Sequence, residues 1–108
     1  MRPKLSVPRQ LALEDIDSTI AYYAAEANEA VALGFIDTLE SVFRLIAARP
    51  AAGSPHYANA LAIPGLRSRP LKRYPYLIFY IEREDHIDLW RVLHVQRDIP
   101  ARIREPNG

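Results

Sequence analysis

The chain has no cysteine, and that one absence removes disulfide scaffolds, thiol catalysis and cysteine-bound zinc together. It also fits a reducing cytoplasm. Histidine is scarce: His56, His86 and His94 are the only three, and their spacing matches no metal-ligand motif. No metal site and no cofactor is therefore expected. No apolar run approaches the roughly 18 residues that cross a bilayer. Arg2 and Lys4 give the N-terminus a basic start, but no apolar stretch of signal-peptide length follows. The expectation is a soluble cytoplasmic protein with no membrane partner. Lysine is rare too: Lys72 is the only one after Lys4, and no tyrosine lies beyond Tyr80.

What is present is an ordinary core-forming composition. Of 108 residues, 49% are hydrophobic, enough for one modest core and one domain spanning 1–108. A domain this small buries a limited share of its surface. The net charge of +1 hides an asymmetry. Between Arg9 and Arg49 seven carboxylates face three arginines, a net of −4. Between Leu66 and Arg104 nine basic residues face five acids, a net of +4. A basic half can dock on an acidic protein or a nucleic acid. It can equally be a set of solvated faces that happen to segregate.

The pattern of apolar residues gives the elements. Lys4 to Val7 alternates as a short strand, and Pro8 must end it or lie at an edge because it has no donor. Leu13, Ile16, Ile20, Tyr23 and Ala27 recur at helical steps and predict a helix over 9–27. Glu14, Asp15 and Asp17 fall off that stripe and are expected to be wet. Asn28 suits a break and an N-cap. Val31, Phe35, Leu39, Val42, Phe43 and Ile46 predict a second helix over 29–48, closed by Arg49-Pro50. So short a link makes the two an antiparallel hairpin. Residues 51–64 read as loop, punctuated by Gly53, Pro55 and Pro64.

Beyond that the period becomes extended. A weak strand is expected over 66–71 and a strong one over 76–83. In the strong one the apolar run from Tyr76 to Ile81 suits a central strand covered on both faces. Glu84, Asp85 and His86 make a hairpin turn, followed by a strand over 87–95. Strict alternation puts Ile87, Leu89, Arg91 and Leu93 on one face, and Asp88, Trp90, Val92 and His94 on the other. Residues 98–104 suit a helical turn, kept short by Pro100 and Pro106. The order β-α-α-β-β-β implies an α+β two-layer sandwich, a helical hairpin on a small antiparallel sheet.

Several residues in this frame resemble a known family. Pro64 to Pro70 is followed by Tyr76-Leu77-Ile78-Phe79-Tyr80, then by Arg91-Val92-Leu93-His94, with Arg97-Asp98 closing the pattern. Upstream, Ala12, Asp15, Ile16, Ile20 and Tyr23 match in the first helix. Phe35, Leu39, Leu45 and 50–53 match in the second helix and its exit. Over about residues 4–99 the chain resembles toxins of the RelE/ParE superfamily, and its Arg91-to-Asp98 ending is similar to the ParE branch. The resemblance implies the toxin of a type II toxin–antitoxin system. It further implies a cognate antitoxin that assembles with it. In the ParE branch the target is DNA gyrase, and the toxin is not an enzyme. The RelE branch offers the alternative of a metal-independent endoribonuclease that cuts messenger RNA on the ribosome. A non-toxic plasmid-maintenance or interaction module of the same fold is a third reading.

Each residue group then reads two ways. An RNA-cleaving site needs acid–base and cationic side chains, and here only His94, Arg91 and Arg97 could supply it. Otherwise His94 caps its strand by bonding Asp98 or a backbone carbonyl, Arg97 pairs locally with Asp98, and Arg91 is half-buried on a carboxylate or carbonyl. Arg67, Arg69, Lys72, Arg73 and Tyr74 are target-binding candidates for gyrase or its DNA. They are alternatively a charged edge strand with a packed tyrosine. Leu33 and Ile36 are antitoxin-groove candidates or core. Trp90 reads as packing.

Overall fold

The computed structural model describes residues 4–106. In chain order it has β1 (Leu5–Pro8), α1 (Gln10–Glu26), α2 (Glu29–Ala48), a 3-10 turn at Pro50–Ala52, and α3 (His56–Leu61). These are followed by β2 (Leu66–Pro70), β3 (Tyr76–Glu82), β4 (His86–His94) and α4 (Ile99–Ile103). The sheet order is β1-β4-β3-β2. The α+β class and the β-α-α-β-β-β order follow the sequence pattern. Among the described residues no helix is long and apolar enough to cross a membrane.

The hairpin forms for the reasons its sequence gives. Ala32, Phe35, Leu39, Val42 and Ile46 are the buried stripe of α2, at three- and four-residue steps. Asn28 starts it, its Oδ1 accepting the Val31 N–H at 2.9 Å. Extended backbone at Asn28 stops α1 from running on.

β3 lies inside the sheet and is apolar on both faces. Tyr76, Ile78 and Tyr80 turn to α1 and α2, where they pack with Phe35, Leu39, Ile87, Leu89 and Val92. Phe79 and Ile81 turn the other way, to Leu66, Leu93, Ile99 and Ile103. That second layer contains α3 and α4. The stretch 51–64, expected as loop, therefore holds a helix. Tyr57 and Leu61, one turn apart, pack on the second core. Six residues between prolines were too few for periodicity to register. Buried Gly53 leaves no room for a side chain, since a Cβ there would collide with the Tyr80 hydroxyl, which donates to the Pro50 carbonyl at 2.7 Å.

Two details depart from the expected sheet. It is antiparallel except at one edge, where β1 pairs parallel with β4, Leu5 beside His86 and Pro8 beside Leu89. And β4 does not alternate strictly. Phe79 pairs with Arg91 but Tyr80 pairs with Leu89, so Trp90 is an extra, bulged residue. The bulge inverts the faces beyond it. Ile87 and Leu89 share the hairpin face with Val92 and His94, while Arg91 and Leu93 face the other layer.

Around the bulge stands an ionic knot. Asp88 is 7% exposed and accepts two bonds from Arg9, both 2.9 Å, and two from Arg83, at 3.2 and 3.0 Å. The Trp90 indole N–H reaches it at 3.3 Å, and the Arg9 guanidinium lies 4.3 Å above the indole ring. Burial by itself would raise the Asp88 carboxyl, but the bonds from Arg9 and Arg83 outweigh it and hold the group below its ordinary value. A folded-state value below the unfolded one contributes stability that is present above about pH 4 and is lost as pH falls further. Asp88→Asn should therefore lower Tm at pH 7. The gap from the wild type should close between about pH 5 and pH 2, as followed by thermal melts across that range. A gap that stays constant would contradict the ionic account.

Candidate functional site

Arg91 and Asp15 meet across 76 residues of sequence. The Arg91 Nε and Nη2 donate to the two Asp15 oxygens at 2.7 and 2.8 Å, a bidentate fork. Arg91 Nη1 donates to the Arg102 carbonyl at 2.8 Å, and Asp15 also accepts the Val92 N–H at 3.0 Å. One guanidinium thus ties α1, β4 and α4 together. The side chains are only 6% and 14% exposed. The Asp15 bonds, stronger than the opposing burial, push the Arg91 guanidinium above its already high value. Asp15 is not wet, as its place on α1 suggested. It lies on a second stripe, between buried Ala12 and Thr19, that faces the open side of β4.

His94 ends β4. Its Nδ1 accepts the Gln96 N–H at 3.1 Å, and its ring lies edge-on to Tyr76 at 5.1 Å. It caps its strand as expected, but by accepting a backbone N–H rather than by bonding Asp98 or a carbonyl. Nor do Arg97 and Asp98 pair. The Asp98 carboxylate caps α4 by accepting the Ala101 N–H at 3.3 Å. Exposed Arg97 has no ion partner among the described residues. Arg91, His94 and Arg97 do line one groove beside α1, together with Tyr22, Tyr23 and Tyr76. Of the three, Arg91 is fully engaged inside the protein and His94 uses its Nδ1.

The basic cluster sits elsewhere. Arg67 and Arg69 pair with Tyr80 and Ile78 in the ladder, so they lie on the hairpin face beyond the central strand. Arg67 Nη1 donates to the Gly53 carbonyl at 2.8 Å. Lys72 and Arg73 are exposed in the β2–β3 loop. They line a shallow groove with Arg44 of α2 over Val42 and Leu45. Arg44, missed in the sequence reading, is brought there only by packing. Arg73 has φ +69°, a left-handed conformation that costs a side-chain-bearing residue energy. Tyr74 turns inward: its hydroxyl donates to the Val31 carbonyl at 2.9 Å, and its ring packs on Tyr23 and Phe35. Leu33 is exposed on α2 and Ile36 is half-buried.

The Arg91–Asp15 fork yields a direct stability test. Asp15→Ala strands a buried cation and should cost about 3–5 kcal/mol, much of the stability of a domain this size. Replacing both partners, as Asp15→Leu with Arg91→Met, should recover a large part of that loss. Urea unfolding of the three proteins checks both; equal stability of Asp15→Ala and wild type would remove the fork from its structural role.

No curated protein matches the chain. A chain from the solved chromosomal ParDE TA system of P. aeruginosa superposes with a TM-score of 0.67 over 83% of this chain and 95% of that one, at 20% identity. At that identity the likeness shows the shared fold. The family model described as ParE toxin of type II toxin-antitoxin system, parDE, matches residues 7–99. The chain belongs to the ParE toxin family of type II toxin–antitoxin systems.

Proposed function

We propose that the chain is a ParE-type toxin that binds and inhibits DNA gyrase in the cytoplasm and is neutralised by a cognate antitoxin with which it co-assembles. The observation that carries the target reading is where the free cations lie. Lys4, Arg9, Arg83, Arg91 and Arg102 are all ion-paired within the protein. Arg44, Arg69, Lys72 and Arg73, like Arg49, Arg97 and Arg104, have no carboxylate partner among the described residues, and Arg44, Lys72 and Arg73 together rim one groove with an apolar floor. Arg67 stands beside them with one N–H committed to Gly53. Such a surface suits a partner with carboxylates or phosphates around an apolar contact.

The geometry favours binding over catalysis. Of the candidate nuclease trio, Arg91 cannot leave Asp15 without stranding two buried charges. His94 already accepts a backbone N–H. The ribonuclease reading would need Arg97 and the remaining ring nitrogen of His94 to act nearly alone.

A gyrase supercoiling assay with purified toxin is the test. Wild-type toxin should block supercoiling, and Lys72→Glu with Arg73→Glu should raise the half-inhibitory concentration at least about tenfold. Arg73→Gly should do something only a displayed charge explains. It relieves the left-handed strain and should stabilise the fold by up to about 1 kcal/mol, yet weaken inhibition. Undiminished supercoiling at every toxin excess, together with codon-position cuts in translated messages, would transfer the assignment to the ribosome.

A further inference from the structure

Two inward side chains bracket the outward cations of the β2–β3 loop. Leu71 is buried in the hairpin-side core, and its N–H bonds the Tyr76 carbonyl at 3.0 Å. Tyr74 packs edge-on against both Tyr23 and Phe35, with ring centroids 5.4 and 5.6 Å apart. Between them Lys72 and Arg73 are exposed. Two effects oppose this shape of the loop. Arg73 holds a left-handed backbone. Lys72, Arg73 and Arg44 are like charges around one groove.

The contact that holds the loop against both lies at Gly34. The Tyr74 hydroxyl donates to the Val31 carbonyl at 2.9 Å, and it reaches that carbonyl because Gly34 has no side chain. A Cβ at Gly34 would lie 2.6 Å from the Tyr74 oxygen but 3.8 Å from the ring carbon that carries it. The ring has little freedom to move aside, being packed on Tyr23 and Phe35. Glycine weakens a helix interior, and at this position it makes room for Tyr74. Gly34, Thr38, Ser41 and Leu45 follow at four-, three- and four-residue steps, so they form one stripe of α2. The loop therefore touches α2 at Gly34, and the cationic groove begins one turn further along the same stripe, at Thr38.

We propose that Tyr74 is a positioning residue for the target surface. Its hydroxyl, seated over Gly34, fixes the loop so that Lys72 and Arg73 share one groove with Arg44. This rests on the gyrase reading of that groove, and adds to it a residue that acts from inside the fold. Releasing the hydroxyl leaves the three cations present but misplaced. Apparent affinity then falls with the fraction of molecules whose loop is in place.

A double-mutant cycle is the test. Gly34→Ala drives a methyl group into the Tyr74 oxygen. Tyr74→Phe removes that oxygen and keeps the ring packing. In the supercoiling assay Gly34→Ala should raise the half-inhibitory concentration about tenfold, and Tyr74→Phe about threefold. The double variant should return to the level of Tyr74→Phe alone, because the methyl collides only while the hydroxyl is there. Inhibition by Gly34→Ala should also lose part of its salt dependence, a change that lower fold stability alone would not produce. Amide exchange at Leu71, whose N–H closes the loop on Tyr76, should quicken in Gly34→Ala and recover in the double variant.

Equal inhibition by wild type, Gly34→Ala and Tyr74→Phe would overturn the positioning role. A double variant as weak as Gly34→Ala would do the same, since the loss would then not run through the hydroxyl. Should Gly34→Ala not fold, Tyr74→Phe is free of the collision, and potency equal to wild type overturns the proposal. If wild-type toxin leaves supercoiling untouched, the gyrase reading fails, and exchange at Leu71 decides the loop anchor by itself. Unchanged exchange in Gly34→Ala overturns the anchor; faster exchange that the double variant reverses upholds it.

Discussion

The fold hangs on one guanidinium. Arg91 is nearly buried, and three elements of the chain meet at its nitrogens: Asp15 of α1 on one side, the Arg102 carbonyl of α4 on another, and its own strand beneath. An unpaired arginine in that position would cost several kcal/mol, so the elements around it must arrive in register or not at all. The fork also decides what the neighbouring groove can be. It converts a cation that could have held phosphate into a structural rivet, and it uses an aspartate to close one rung of an open strand edge. His94 and Arg97 stand beside it with much of the chemistry of a nuclease pair but without its third member.

Most of the fold was legible because it depends on local period. The α2 stripe, the Asn28 cap and the doubly apolar β3 are each written within a few consecutive residues. What could not be read was long-range. Nothing in the spacing of Asp15 announces a partner at Arg91, and its position off the main apolar stripe of α1 pointed to solvent. The Trp90 bulge is a second case. Alternation assumes a perfect ladder, and one extra residue reassigned Arg91 to the opposite layer. The helix α3 was hidden because six residues hold fewer than two turns. The candidate site was legible in the same uneven way. The basic residues of the β2–β3 region were plain in the sequence, whereas Arg44 joined them only through packing, and Tyr74 proved to be anchored inside.

The charges are sorted by employment. Lys4, Arg9, Arg83, Arg91 and Arg102 are spent inside the molecule, on Glu82, Asp88, Asp15 and Glu105. Arg44, Arg69, Lys72 and Arg73, on the α2 and β2 side, have no carboxylate partner among the described residues. The near-zero net charge of the chain conceals this division, because paired and unpaired cations count alike in a sum. This unpaired cluster costs stability through mutual repulsion of Arg69, Lys72 and Arg73, and through the strained backbone of Arg73.

The parallel pairing of β1 with β4 has a consequence for how the molecule comes into being. Leu5 lies beside His86, so the first strand made must wait for the last. During synthesis α1 and α2 can form early, since their contacts are local, but β1 has nothing to pair with until β4 has emerged. The same holds for Asp15, whose partner is also in β4. The finished surface therefore appears only when almost the whole chain is present. A truncated product that ends before β4 would lack both the parallel pairing with β1 and the rivet.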